Sequence, residues 1–223
     1  MYALNVKNAF QSHNFAGLLR RGVMFDAKAK KQGWQRWLLS DTMRRKNVSH
    51  QIAYVSVMTA LTIVANMFFE FKFADVQFSL TLFLSALTGI IIGPLFGFAA
   101  CFLGDLVGFL YHSSGYPYYP WIGVAMGMAA VIAGVITGGI PSKKSWFLYV
   151  KLTVICLLIF AVCTVGINTT AFWKLYSKVS YKEYFIARIF VQGQIWNSLF
   201  NSGLLFLTVP ALNRIKPLKI RIQ

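Results

Sequence analysis

The chain has 223 residues, 57% of them hydrophobic and only 13% charged, with 22 Lys and Arg against 6 Asp and Glu for a net charge of +16. That charged fraction is about half a soluble domain's, and 16% aromatic residues exclude a disordered basic tail. The long apolar runs exclude a soluble nucleic-acid binder and leave a multi-span membrane protein with its charge gathered at the ends.

Residues 1–50 carry ten Lys or Arg against Asp26 and Asp41, and the first strongly apolar run begins only at Ile52. That is the wrong order and distance for a signal peptide. The stretch from Trp34 to Lys46 mixes aromatic and basic residues. It reads either as an amphipathic helix on anionic headgroups or as a solvated tail obeying the positive-inside rule.

A helix needs about 20 apolar residues to cross about 30 Å of hydrocarbon. Six such spans are expected, near 51–70, 76–93, 96–112, 120–139, 147–170 and 184–210. The fold class predicted is therefore all-α and integral to the membrane: a compact six-helix bundle over 51–212, followed by a basic tail at 213–223. Gly93 and Pro94 make the second and third spans a tight hairpin, and the polar stretch Trp173–Glu183 joins the fifth and sixth. The N-terminal segment, the 140–146 loop and the C-terminal tail hold ten, two and four Lys or Arg, sixteen on one side. Lys72, Lys174, Lys178 and Lys182 make four on the other, so both termini are expected in the cytoplasm.

Ser56 and Ala60 lie four apart on the first span, a smooth stripe that suits packing either within the bundle or against another membrane subunit. Gly89, Gly93 and Gly97, then Gly104 with Gly108, Gly123 with Gly127 and Gly134 with Gly138, repeat at the same spacing. Small residues so placed let helix backbones approach closely in lipid. Asp105 falls near the membrane midplane, where an acid costs on the order of 2.5–3.5 kcal/mol. Either structural hydrogen bonds or a coupling role would account for it.

Between the third and fourth spans, Tyr111-His-Ser-Ser-Gly-Tyr116-Pro-Tyr118-Tyr119-Pro-Trp121 carries five aromatic rings in eleven residues. An interfacial aromatic belt is the plain reading; two prolines and a glycine favour a shaped surface. On the same side, Arg188, Gln192 and Trp196 recur every four residues of the sixth span, and Asn168 closes the fifth. The inventory fits a planar ring stacked on Tyr116, Tyr118, Tyr119, Trp121 or Trp196, hydrogen-bonded by Asn168 and Gln192, with a carboxylate held by Arg188.

No engine accompanies this candidate site. Gly138-Gly-Ile-Pro-Ser-Lys-Lys-Ser145 lacks the Gly-Lys pair of a phosphate-binding loop, and no strand precedes it. No serine elbow, HExxH pair or carboxylate pair appears, so no catalytic residue is named. His13, His50 and His112 are scattered, and Cys101, Cys156 and Cys163 sit in apolar runs at no metal-ligand spacing. Neither a metal nor a cofactor is expected.

The run from Ser40 through Arg44, Arg45 and Lys46 into Ser56-x3-Ala60 resembles the start of S components of energy-coupling factor (ECF) vitamin transporters. Leu87-Thr-Gly-Ile-Ile-Ile-Gly-Pro-Leu-Phe-Gly97 and Leu103-Gly-Asp-Leu-Val-Gly108 are similar to their second and third helices. The Gly-Pro turn, the Asp105-Leu-x-Gly108 motif, the Tyr-Pro loop and Tyr184-Phe-x-x-Arg188 look most like the folate type. The resemblance implies a non-enzymatic subunit of the bacterial plasma membrane that captures a vitamin from outside. It further implies association, through Ser56 and Ala60, with a transmembrane coupling protein and two ATPases. Folate or a related pterin leads; riboflavin, thiamine or a queuosine precursor follow. A membrane-embedded enzyme would want converging acids or histidines, and a scaffold would not need Arg188 beneath an aromatic loop.

Overall fold

The computed structural model describes residues 39–44, 46–73, 76–111, 117–139 and 146–214. The basic segment up to Gln35-Arg36-Trp37, Tyr116 and the tail from Ile215 lie outside them. The amphipathic-helix expectation over 34–46 is therefore described only at its end, a four-residue helix α1, Asp41–Arg44.

Helix α2 runs Val48–Phe68, and a two-stranded antiparallel hairpin follows, β1 Glu70–Phe73 paired with β2 Val76–Ser79. Helix α3 is Thr81–Ile92, α4 Pro94–Tyr111 and α5 Pro120–Gly139. Next comes a continuous 31-residue helical run: α6 Trp146–Ile159, a π-helical segment Phe160–Thr169 and α7 Thr170–Tyr176. A short α8, Tyr181–Ile186, enters a π turn Ala187–Val191; the chain breaks at Gly193 and resumes as α9, Gln194–Arg214.

Five of these helices are long and apolar enough to cross a membrane, and α3, at 12 residues, is a shorter apolar helix. The predicted second span at 76–93 is thus corrected, because residues 76–79 are strand and only 81–92 are helix. Backbone that is not helical must find partners when water is scarce, and α9 supplies them. Asn197 Oδ1 accepts from Ser79 N at 3.1 Å, and Asn201 Oδ1 accepts from Phe83 N at 2.9 Å. Asn201 Nδ2 also donates to the Ser79 carbonyl at 2.8 Å. Two asparagines one helical turn apart therefore seat the short helix and its hairpin.

The predicted fifth span, ended at 170 before a polar linker, is corrected as well: helix continues to Tyr176, and only Ser177–Ser180 separate it from α8. The predicted sixth span over 184–210 is not one helix. Gly193 adopts φ +72°, a left-handed conformation open to glycine at little cost, and it divides the span in two.

The spaced glycines do what their spacing predicts where α3, α4 and α5 cross. A methyl group on Gly89 would collide with the Ala130 carbonyl, and one on Gly134 would lie 2.9 Å from the Gly89 carbonyl oxygen. Added to Gly104 it would strike the Thr62 hydroxyl of α2, and on Gly108 it would sit 3.0 Å from Asn66 Cβ. Gly138 meets nothing within 4 Å, so of the Gly134–Gly138 pair only Gly134 serves close packing. Around these contacts lies a core of Ala86, Ile90, Ile92, Ala129, Leu152 and Val209, with Cys163 among it.

At the α3–α4 turn Gly93 has φ +123°, and the chain ahead of α2 closes over it. Ser40 N donates to the Ile92 carbonyl at 2.8 Å, and Ser40 Oγ to the Ile91 carbonyl at 2.5 Å. Orphan carbonyls at a helix C-terminus are commonly satisfied in such ways. The fully buried Met43 anchors the same strap.

Candidate functional site

At the opposite end, four helical segments converge because Pro120 starts α5 just after Tyr118 and Tyr119, while the long helix projects α7 beside them. Tyr119 stacks on Trp121 with centroids 4.9 Å apart and meets Phe172 edge-on at 5.6 Å. Trp121 also lies edge-on to Phe172 at 5.7 Å, and Tyr176 completes the group 5.8 Å from Tyr119. The Arg188 guanidinium carbon stands 4.5 Å over the Phe172 ring, a cation–π distance, and its Nη1 donates to the Tyr184 hydroxyl at 3.3 Å.

Three polar atoms in this neighbourhood are buried without a hydrogen-bond partner: Arg188 Nε, Trp121 Nε1 and Asn168 Oδ1. Two are donors and one is an acceptor. Asn168 sits one turn before Phe172, at the end of the π-helical segment, and π segments recur at functional sites. Buried polar groups are normally paired, so three orphans beside one aromatic cluster make this the candidate site.

Of the residues expected from sequence, Tyr119, Trp121 and Arg188 gather around Phe172, with Asn168 a turn away. Tyr118 belongs to a neighbouring network: its hydroxyl donates to Asp105 Oδ2 at 3.0 Å, and its ring packs on Phe109 at 5.2 Å. Burial, with the Asp105 carboxylate beside it, pushes the Tyr118 phenol above its ordinary range, so at neutral pH it remains a donor. Asn66 Nδ2 donates to the other oxygen, Asp105 Oδ1, at 2.9 Å. Asp105 is thus a hydrogen-bonded intramembrane acid.

Gln192 and Trp196 do not join the cluster. Their shared face with Arg188 presumed an unbroken helix, and the Gly193 break turns Gln192 outward and leaves Trp196 58% exposed. Phe172 and Tyr176 were not expected at the site, and Tyr184 entered only through the Tyr184-Phe-x-x-Arg188 resemblance. The signal for Phe172 and Tyr176 was the aromatic run Phe172-Trp-Lys-Leu-Tyr176, most of which fell in the polar stretch Trp173–Glu183 assigned to the connection between spans. Ser56 and Ala60 are exposed on α2, beside exposed Val57, Leu61 and Val64, while Met58, Thr62 and Ala65 face the bundle. The stripe therefore points away from the core of its own chain.

Five helices long and apolar enough to cross a membrane, with an aromatic cluster and unpaired polar atoms gathered at one end, define a multi-pass helical membrane protein. Residues 46–215 match the family model of the ECF-type riboflavin transporter, S component, and the chain belongs to that family. It is the substrate-binding kind of transporter subunit, not an enzyme. A crystal structure of FolT bound with folic acid has a similar fold, at TM-score 0.56 and 20% identity, over 74% of this chain and 95% of that one. No curated protein sequence matches the chain.

Proposed function

We propose that the chain captures folate or a related pterin on the outer face of a bacterial plasma membrane and delivers it inward with an ECF coupling protein and two ATPases. The observation that carries this reading is Arg188, a cation over Phe172 with Nε unpaired beside the stacked Tyr119 and Trp121. A flat heteroaromatic ring finds stacking surfaces and a donor–acceptor set in Trp121 and Asn168; a carboxylate finds Arg188. Thiamine, a cation, would meet the wrong charge. The basic segments at both termini support a cytoplasmic location for them, which puts the aromatic site outside. Exposed Ser56 and Ala60 are the surface proposed for the coupling protein.

Riboflavin is the second reading, favoured by the description of the matching family. It is neutral and would leave Arg188 without a carboxylate. Titration of the purified protein with folic acid and with riboflavin, followed by Trp fluorescence and by native mass spectrometry of any co-purified molecule, separates the two. Folic acid binding that weakens on raising the salt concentration upholds the first reading. Tight riboflavin binding with indifference to folic acid upholds the second, and binding of neither overturns both.

A further inference from the structure

Asp105 has no place in the substrate inventory above, yet it is 4% exposed and joins three parts of the bundle. Its two oxygens accept from different elements, Asn66 of α2 at 2.9 Å and Tyr118 of the segment leading into α5 at 3.0 Å. Gly123, one turn into α5, makes room for this: a methyl there would lie 2.9 Å from both Asp105 Oδ2 and the Tyr118 hydroxyl. Tyr118 immediately precedes Tyr119, and Trp121 follows after Pro120, whose fixed φ stiffens the connection. Whatever holds Tyr118 therefore holds the stacked Tyr119–Trp121 wall.

We infer that Asp105 is a positioning residue for the binding site: it fastens the Tyr118 hydroxyl to α2 and α4 and so fixes the Tyr119–Trp121 wall against Phe172 and Arg188. The inference rests on the proposed binding role of that wall. Both of its ties are donors to a carboxylate, and bonds of that kind are stronger than neutral ones. A free loop carrying five aromatic rings in eleven residues would otherwise sample many arrangements, and each would have to be ordered when ligand binds.

The test uses the full chain in detergent with its six tryptophans replaced by 5-fluorotryptophan, the Trp121 fluorine resonance being assigned by Trp121→Phe. Tyr118→Phe removes only the hydroxyl. It is expected to shift or broaden the Trp121 resonance while the other five hold, and to weaken binding of folic acid, or of riboflavin if that is what the parent protein binds, about tenfold. Asp105→Ala should do the same, and Asp105→Asn, whose amide can still pair with both partners, should recover most of the affinity. Where Asp105→Ala fails to fold, Tyr118→Phe decides alone. An unmoved Trp121 resonance in Tyr118→Phe overturns the inference, and so does a moved resonance with affinity within about twofold of the parent. A parent protein that binds neither vitamin overturns the proposed function instead, and the resonance still decides whether Asp105 positions Trp121.

Discussion

Where α3, α4 and α5 cross, Gly89, Gly97 and Gly134 bring backbones together, and every α3 residue from Ser85 to Ile92 is buried. The α6–α9 side differs in kind: its long helix passes through ten π-helical residues, its last span breaks at Gly193, and Asn168 and Arg188 keep buried polar atoms unpaired. One region is regular, because small residues let helices pack without side chains between them. The other departs from regular helix where it meets the aromatic cluster, so irregular backbone and unpaired polar groups coincide there. The contrast teaches that α5 serves both regions: its glycines pack against α3 and α4, and its first turn carries Trp121 into the aromatic cluster with Phe172.

Substitutions can break that contrast from either side. The largest effect is expected from Gly89→Ala. Its new methyl would meet the Ala130 backbone rather than a movable side chain, so the helices must separate. A loss of about 3 kcal/mol, the upper end for overpacking, would lower the unfolding midpoint by roughly 6–12 °C. Thermal unfolding in detergent measures it, and an unchanged midpoint would show that the α3–α5 crossing is looser than described. Arg188→Ala comes next and acts on the other region. Removing a charged hydrogen-bonding partner should weaken folic acid binding roughly 10- to 100-fold, with the unfolding midpoint within about 2 °C of the parent. Calorimetric titration reads the first and thermal unfolding the second. A midpoint that collapses would instead make Arg188 a structural cation held by Phe172 and Tyr184.

The regular region was largely legible in the amino-acid sequence. Gly-x3-Gly spacing is a local code, and α5 begins and ends at Pro120 and Gly139, as the apolar run does. Much of the family resemblance rested on this same region and on the Asp105 motif, the rest on the Ser40–Ala60 start, the Tyr-Pro loop and Tyr184-Phe-x-x-Arg188. The irregular region was legible in composition but not in geometry. Arg188 and Asn168 carry chemistry that apolar spans rarely tolerate, and Trp121 closes a run of five aromatic rings in eleven residues, so they stood out. Gln192 and Trp196 were placed with Arg188 by a period that holds only in unbroken helix, and a single glycine's φ ended it. The β hairpin was hidden for a related reason: Val76–Ser79 runs straight into the apolar stretch that follows, and the asparagines that hold its Ser79 end, Asn197 and Asn201, lie more than a hundred residues away.

Gly203→Ala makes the same chemical change as Gly89→Ala in the other region, and the opposite sign is expected. A methyl at Gly203 meets nothing within 4 Å, and alanine is the better helix former. A gain of about 0.5–1 kcal/mol follows from the lower backbone entropy of the unfolded chain. A rise of the midpoint by about 1–4 °C would sharpen the contrast. A fall would mean that α9 packs against something at this position.

The smallest effect is expected from Trp196→Ala, and it tests the Gly193 break directly. If α8 and α9 formed one helix, Trp196 would stand two turns below Arg188 on the same face, and its loss would remove a stacking surface from the site. With the break, the indole is 58% exposed and touches none of the clustered rings. Folic acid affinity should then stay within about twofold of the parent, a change below 0.5 kcal/mol. A tenfold loss would restore the unbroken face and bring Gln192 back as a ligand contact. Indifference at Trp196 beside a large loss at Arg188 would assign the site to the π turn and the aromatic cluster above Gly193, leaving α9 to hold the hairpin through its asparagines.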